Sequence, residues 1–176
     1  MNVKVCVAGR ICSGKSTLAR RIAERAECQL VSFGGVLRRY SERNKLPAGR
    51  KNLQELGKRL IDQLGFEDFF EWIVKESLTD WSRPLVLDGV RHVRIYGYIA
   101  KKFPNTILVY CDCDKETQIA RLKTRDGICE ADADQIISHT TESGIEELKA
   151  IANLVFQPHF ALDGFLNKLN DLISRM

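Results

Sequence analysis

The sequence lacks any apolar run near the ~20 residues that a membrane helix needs, so no membrane partner is expected. Its first residues lack the basic-then-apolar pattern of a secretory signal, and the expectation is a cytoplasmic protein. A strong charge of one sign is also missing. Lys and Arg total 27 against 23 Asp and Glu, a net charge of +4, too mild to indicate nucleic acid as a partner. Internal repeats, low-complexity stretches and linkers are absent, so residues 1–176 read as one domain. Paired C-x-x-C spacing is absent among Cys6, Cys12, Cys28, Cys111, Cys113 and Cys129. That argues against zinc and for reduced thiols packed as small hydrophobes.

What is present is an ordinary globular composition, 44% hydrophobic and 28% charged, in a chain long enough for a full core. Short apolar runs at 3–8, 29–32, 85–88, 106–111 and 153–157 alternate with helical stretches. That alternation predicts an α/β fold of three layers, with a five-stranded parallel sheet and helices on both faces. Helices are expected over 17–27, 36–44, 51–64, 67–79, 93–102, 115–125, 145–150 and 162–173, with Asp114 as an N-cap. Phe33-Gly34-Gly35 reads as a sharp turn, and 126–143 as a polar, acid-rich stretch with a turn at Asp126-Gly127. The stretch between the second and third strands is too long for a plain crossover, so 33–80 forms a helical insertion.

The most informative stretch joins the first strand to the first helix. Gly9-Arg10-Ile11-Cys12-Ser13-Gly14-Lys15-Ser16 is G-x-x-x-x-G-K-S in a strand–loop–helix context, the signature of a P-loop NTPase fold. Glycines let successive backbone N–H groups face a phosphate, Lys15 reaches the β- and γ-phosphates, and the Ser16 hydroxyl can ligate Mg²⁺. The following helix adds its N-terminal partial charge. The expected nucleotide-contacting set is Gly9, Cys12, Ser13, Gly14, Lys15, Ser16 and Thr17. Oxidation or alkylation of Cys12, inside the cradle, is expected to block nucleotide binding.

Four further stretches, taken with this loop, resemble the nucleoside-monophosphate-kinase group of P-loop proteins. Ser32-Phe-Gly-Gly-Val-Leu-Arg38 is similar to the S-x-G-D-x-L-R that opens the acceptor helix of adenylate kinases, and Leu87-Asp88-Gly89-Val-Arg91 to their L-D-G-x-x-R. Asp112 with Arg121 and Arg125 resembles the strand-four acid and the R-x-x-x-R of the group, and Ile151-Ala-Asn-Leu-Val-Phe156 its final strand. The resemblance implies an ATP- and Mg²⁺-dependent phosphotransferase acting on a phosphorylated small-molecule acceptor, with a nucleoside or deoxynucleoside monophosphate first. It implies that Arg38, Gly34 and Arg91 hold the acceptor, that Arg121 meets the adenine, and that Arg121 and Arg125 meet the transferring phosphate. Lys15, Asp88, Arg91, Arg121 and Arg125 are then the catalytic set, and Ser16 with Asp88 the metal set. Chemistry agrees, because phosphoryl transfer is mostly positioning plus cations, and arginine binds phosphate oxygens two at a time.

Alternatives stand beside these roles. R-x-x-x-R spacing also fits a solvated helix face, and Arg39, Arg43, Arg50 and Lys51 read as solvated or acceptor-rim charge. Asp88 either holds Mg²⁺ through water, accepts a proton from an attacking hydroxyl, or caps a helix. His92 either donates to a phosphate or caps the next helix, while His159 beside Pro158 is structural. Among Tyr40, Phe66, Phe69, Phe70 and Trp72, most form the insertion's core and one or two could stack on a base.

Departures from the pattern carry information too. The acid expected after Gly34 is Gly35, which argues against dephospho-coenzyme A as acceptor. The lid, 121–143, is short and holds Asp132, Asp134, His139 and Glu142, and its His139-Thr-Thr-Glu142 either closes over the nucleotide or forms a capped polar loop. Leu87-Asp-Gly-Val-Arg-His92 with Leu53-Gln-Glu-Leu-Gly57 resembles a bacterial branch of AAA-like ATPases. A nucleotide-dependent switch or ATPase acting on a protein partner is therefore the alternative function. Monomer and homodimer both remain open.

Overall fold

The computed structural model describes residues 3–138, 145–158 and 161–175. The elements run β1 (Lys4–Ala8), α1 (Lys15–Arg25), β2 (Gln29–Ser32), α2 (Phe33–Arg43), α3 (Arg50–Ser77), β3 (Leu85–Asp88) and α4 (Val93–Lys102), then β4 (Thr106–Cys111), α5 (Lys115–Asp126), α6 (Glu130–Ser138), α7 (Ile145–Ala150), β5 (Leu154–Phe156) and α8 (Leu162–Ser174). The strands pair in parallel in the order β2-β3-β1-β4-β5. No helix of the described residues is long and apolar enough to cross a membrane.

Alternation along the strands builds two cores. On β1, Cys6 and Ala8 face one way and Val3, Val5 and Val7 the other, as a period of two requires. The first set packs under α2, α3, α4 and α7, through Val36, Phe70, Ile95 and Leu148 among others. The second packs under α1 and α8, through Leu18, Ile22, Phe165 and Leu169. β1 is central and wholly buried, whereas the edge strands leave Leu30 and Val155 exposed. Because every strand runs the same way, their C-terminal ends open on one side, where ligands of such sheets bind.

Three stretches need comment. The two helices expected over 51–64 and 67–79 follow one another within Arg50–Ser77 and meet at Gly65, whose φ 80°, ψ 172° is open only to glycine. The turn expected at Phe33-Gly34-Gly35 is instead the first turn of α2. The Ser32 hydroxyl accepts the Gly35 N–H at 3.3 Å, and burial of Phe33 supplies what glycine's poor helix propensity withholds. The polar, acid-rich stretch over 126–143 contains a helix not expected there, α6. Its Ala133 and Ile137, four residues apart, pack on Ile11 and Leu122, an apolar stripe hidden by the acids around it. The Asp126-Gly127 turn is as expected, with Gly127 in the left-handed region at φ 65° ending α5, and Asp114 caps α5 by accepting the Thr117 N–H at 2.7 Å. His139, Glu142 and His159 lie outside the described residues.

The one charge in β1 has a structural task. Lys4 is fully buried, and its Nζ donates to the Trp81 carbonyl at 2.8 Å and the Arg83 carbonyl at 2.6 Å. It also lies 4.8 Å from the Phe103 ring centroid. Lys4→Met leaves both carbonyls without this donor and is expected to cost about 2 kcal/mol. Urea unfolding measures it; an unchanged midpoint would remove this role.

Candidate active site

The loop between β1 and α1 is shaped by three left-handed or near-extended positions: Gly9 at φ 146°, Cys12 at 56° and Gly14 at 94°. Gly9 is required sterically. A Cβ there would lie 2.5 Å from the Cys111 carbonyl and 2.8 Å from Ser13 Oγ. The loop is then pinned from several sides. The Cys111 thiol donates to the Ser13 carbonyl at 3.1 Å, and Arg121 Nη1 to the Cys12 carbonyl at 3.0 Å. Lys15 Nζ donates back to the Arg10 carbonyl at 2.9 Å, which holds the ammonium over the loop. Arg10 itself is tied to α7, its Nε 2.8 Å from Glu146 Oε1, to which the Tyr110 hydroxyl also donates at 3.4 Å.

From this loop a cleft of about 1650 Å³ extends across the C-terminal ends of the strands. At one end it is bordered by Cys12, Gly14, Lys15, Ser16 and Thr17, with Thr117, Arg121, Thr124 and Arg125 of α5 and Pro158 and Leu162 opposite. At the other end stand Gly34 and Arg38 of α2, Arg91 and His92 after β3, and one face of α3. Asp88 borders the same cleft from the end of β3, the strand paired with β1. It is 6% exposed and its Oδ1 is buried with no hydrogen-bond partner. An orphaned carboxylate oxygen in a cleft is costly unless something fills it. A hard cation held with the Ser16 hydroxyl fits that need, and the helix-cap reading of Asp88 does not.

The structure thus gathers Cys12, Gly14, Lys15, Ser16, Thr17, Gly34, Arg38, Asp88, Arg91, Arg121 and Arg125 around one space. It does not bring Gly9 or Ser13 to the cleft wall; Ser13 is fully buried behind the loop. Their side-chain positions shape the loop, and what they offer a phosphate is backbone N–H. Asp112 is also apart, paired with Lys149 at 2.8 Å. His92 does not cap α4 with its side chain; its ring lies 5.2 Å from that of Phe66, which Arg94 covers from 4.6 Å. Burial, with Arg91 adding to it, pushes the His92 pKa down, so the ring is neutral at neutral pH and offers no charge to an anion. Phe69, Phe70 and Trp72 pack with Phe33, Tyr40, Trp81 and Tyr98 as insertion core.

Arg50, read as solvated or acceptor-rim charge, borders the cleft at the start of a polar stripe of α3 whose other members, Gln54, Lys58 and Asp62, sequence reasoning missed; their spacing of four was a readable signal for one helix face. Thr117 and Thr124 on α5 were missed as well.

Cys12 is half-buried, and burial pushes its thiol pKa up, with Arg125 and Lys15 pulling it part of the way back. A raised pKa means less thiolate, the reactive form, at any neutral pH. Alkylation of Cys12 by iodoacetamide, followed by peptide mass spectrometry, is expected to be slower at pH 7 than that of a free cysteine. Its rate should climb with a midpoint above the free-cysteine value. A midpoint below that value would contradict the burial argument.

A family model described as an AAA domain matches residues 5–138, from the second residue of β1 to the end of α6. Among curated proteins none matches the chain. Among solved structures, TT1252 from Thermus thermophilus superposes with a TM-score of 0.65 at 15% identity, covering 99% of this chain and 97% of that one. A shikimate kinase from Bacteroides thetaiotaomicron gives 0.57 at 15%, covering 98% of each. A gluconokinase from Sinorhizobium meliloti 1021 gives 0.56 at 12%, covering 99% and 93%. At these identities the likeness is one of fold, and it is the P-loop fold expected from Gly9–Ser16. The match over most of its length means that this chain belongs to the AAA-domain family, in a form built on the fold of the P-loop kinases.

Proposed function

We propose that the protein is a phosphotransferase that moves the γ-phosphate of ATP to a phosphorylated small molecule, with a nucleoside or deoxynucleoside monophosphate as first choice. One observation carries the reading. A single cleft has cations at both ends, Lys15, Arg121 and Arg125 at one and Arg38 and Arg91 at the other, with Asp88, whose Oδ1 is buried without a hydrogen-bond partner, bordering it. Two anions facing each other across a carboxylate suit phosphoryl transfer better than simple hydrolysis. The kinase names of two structural neighbours support a small-molecule acceptor.

In this reading Lys15 and the loop N–H groups hold the triphosphate, and Arg38 and Arg91 hold the acceptor's phosphate in line with it. An acceptor oxygen forms a bond to the γ-phosphorus as the bond to the β–γ bridging oxygen breaks, leaving ADP. Arg121 and Arg125 stabilise the charge spread over the migrating group. A phosphate monoester has a second pKa near 6, so its attacking oxygen is already ionised at neutral pH. No base is needed, and the glycine at position 35 costs nothing. Asp88 is then free to serve with Ser16 as the magnesium site, where Mg²⁺ supplies charge neutralisation to the phosphates. The end of α5 with α6 serves as the short lid, and α2 with α3 as the acceptor-binding insertion.

The test is ADP formation from ATP and Mg²⁺ with a panel of acceptors: nucleoside and deoxynucleoside monophosphates, dephospho-coenzyme A, phosphomevalonate, shikimate and gluconate. At least one monophosphate is expected to raise the rate about 100-fold over ATP alone. A rate indifferent to every acceptor, with hydrolysis dependent on a protein partner, would instead favour the switch. Lys15→Ala is expected to lower kcat/KM at least about 100-fold with an unchanged circular dichroism spectrum.

A further inference from the structure

Arg10 is the second residue of the phosphate loop, yet it does not border the cleft. Its backbone carbonyl is the node of the loop. It accepts the Ser13 N–H at 3.3 Å, which closes the turn, and it accepts from Lys15 Nζ at 2.9 Å. The Arg10 side chain leads to α7, where Nε donates to Glu146 Oε1 at 2.8 Å. The Tyr110 hydroxyl donates to the same oxygen at 3.4 Å. One residue thus joins the loop's lysine, through its backbone, to α7, through its guanidinium.

We infer that Glu146 and Arg10 are positioning residues for nucleotide binding: the Glu146 carboxylate fixes the Arg10 peptide, and with its carbonyl the place from which Lys15 meets a triphosphate. This rests on the reading that Lys15 grips the triphosphate. Three features carry it. First, the loop needs support from outside. Cys12 sits at φ 56°, a conformation that costs a non-glycine residue energy and persists only where the surroundings over-determine it. The other holds act on its neighbours. Gly9 is pressed against the Cys111 carbonyl, Ile11 is buried with Leu122, and the carbonyls of Cys12 and Ser13 accept from Arg121 and Cys111. For the Arg10 guanidinium, Glu146 is the ion-pair partner among the described residues.

Second, the carboxylate stands on a fixed base. Ile145 and Leu148, on either side of it in α7, are fully buried in the core that holds Cys6 and Ala8 of β1. Tyr110, which shares the Glu146 oxygen, is itself buried in β4. The pair is open to solvent, with side chains 34% (Arg10) and 49% (Glu146) exposed, so it adds little to overall stability. Its leverage is local, on the one peptide that carries the lysine. Third, the contact suits the lysine's task. An ammonium has three N–H donors, so a bond to the Arg10 carbonyl sets its position without using up its capacity for phosphate oxygens. A cation held in advance where negative charge arrives needs little reorganisation. Loosening the Arg10 peptide therefore lowers affinity for the triphosphate.

The experiment is calorimetric titration with the magnesium complex of AMPPNP, on wild type, Arg10→Ala, Glu146→Ala, the double variant and Glu146→Gln. Thermal unfolding of each protein without ligand is measured in parallel. Each single alanine variant is expected to raise Kd about three- to fivefold, and the double variant no further than either single one. Glu146→Gln keeps an oxygen for Arg10 Nε and is expected to bind more tightly than Glu146→Ala. Melting temperatures should stay within about 2 °C of wild type. An unchanged Kd in both single variants, or effects that multiply in the double variant, overturns the inference and leaves the phosphate site standing. A larger fall in melting temperature alongside the lost affinity also overturns it, because the pair is then a general brace. Failure of wild type to bind AMPPNP overturns the phosphate-site reading itself, and the inference with it.

Discussion

Everything at the cleft depends on how closely the phosphate loop approaches the end of β4. At Gly9 there is room for a hydrogen and nothing more, with the Cys111 carbonyl 2.5 Å from where a side chain would begin. That contact sets the loop's height above the sheet. It places the Ser13 carbonyl on the Cys111 thiol and the Cys12 carbonyl within reach of Arg121. The cradle is thus held by backbone carbonyls and buried neighbours, and two of its cations, Lys15 and Arg121, are positioned by donating to loop carbonyls. Polar groups aimed in advance at an incoming charge need little reorganisation when it arrives.

The parallel sheet turns that local constraint into a site. β1 and β3 run side by side, so Asp88 arrives one strand away from the loop without any special contact. β2 ends level with β3, Ser32 opposite Asp88, and α2 starts there. The arginines of the far end are therefore set by strand register, which a slip of one residue would send to the opposite face. The loop end is pinned through α1, α7 and β4, whereas the far end rests on α2 and α3, which share one core through Leu37, Leu53 and Leu56.

The strands, the helices flanking them and the phosphate loop were legible in the sequence because each depends on local pattern. The apolar runs at 3–8 and 106–111 and the capping Asp114 needed no knowledge of their partners. What failed to show depends on tertiary contacts. The first turn of α2 forms over Gly34-Gly35 only because Ser32 caps it and Phe33 is buried. Helix α6 hides its stripe, Ala133 and Ile137, among acids, and the stripe has meaning only beside Ile11 and Leu122. At the site, residue types identified Lys15, Arg38, Arg91, Arg121 and Arg125 as cleft residues. They could not show that the side chain of Ser13 is buried behind the loop while Cys12 and Lys15 border the cleft. Nor could they show that Asp112 is spent on Lys149, because a pairing across elements leaves no mark in either segment.

Lys4 has a mechanical meaning beyond its hydrogen bonds. By clamping the carbonyls of Trp81 and Arg83 under the entry end of the sheet, it shortens the tether between α3 and β3. Trp81 stacks on Phe103 at 6.0 Å and keeps that tether taut. The clamp fixes where the chain enters β3, the strand that carries Asp88. The base of the strand that brings the Asp88 carboxylate to the cleft is thus braced by a buried ammonium at the opposite end of the sheet.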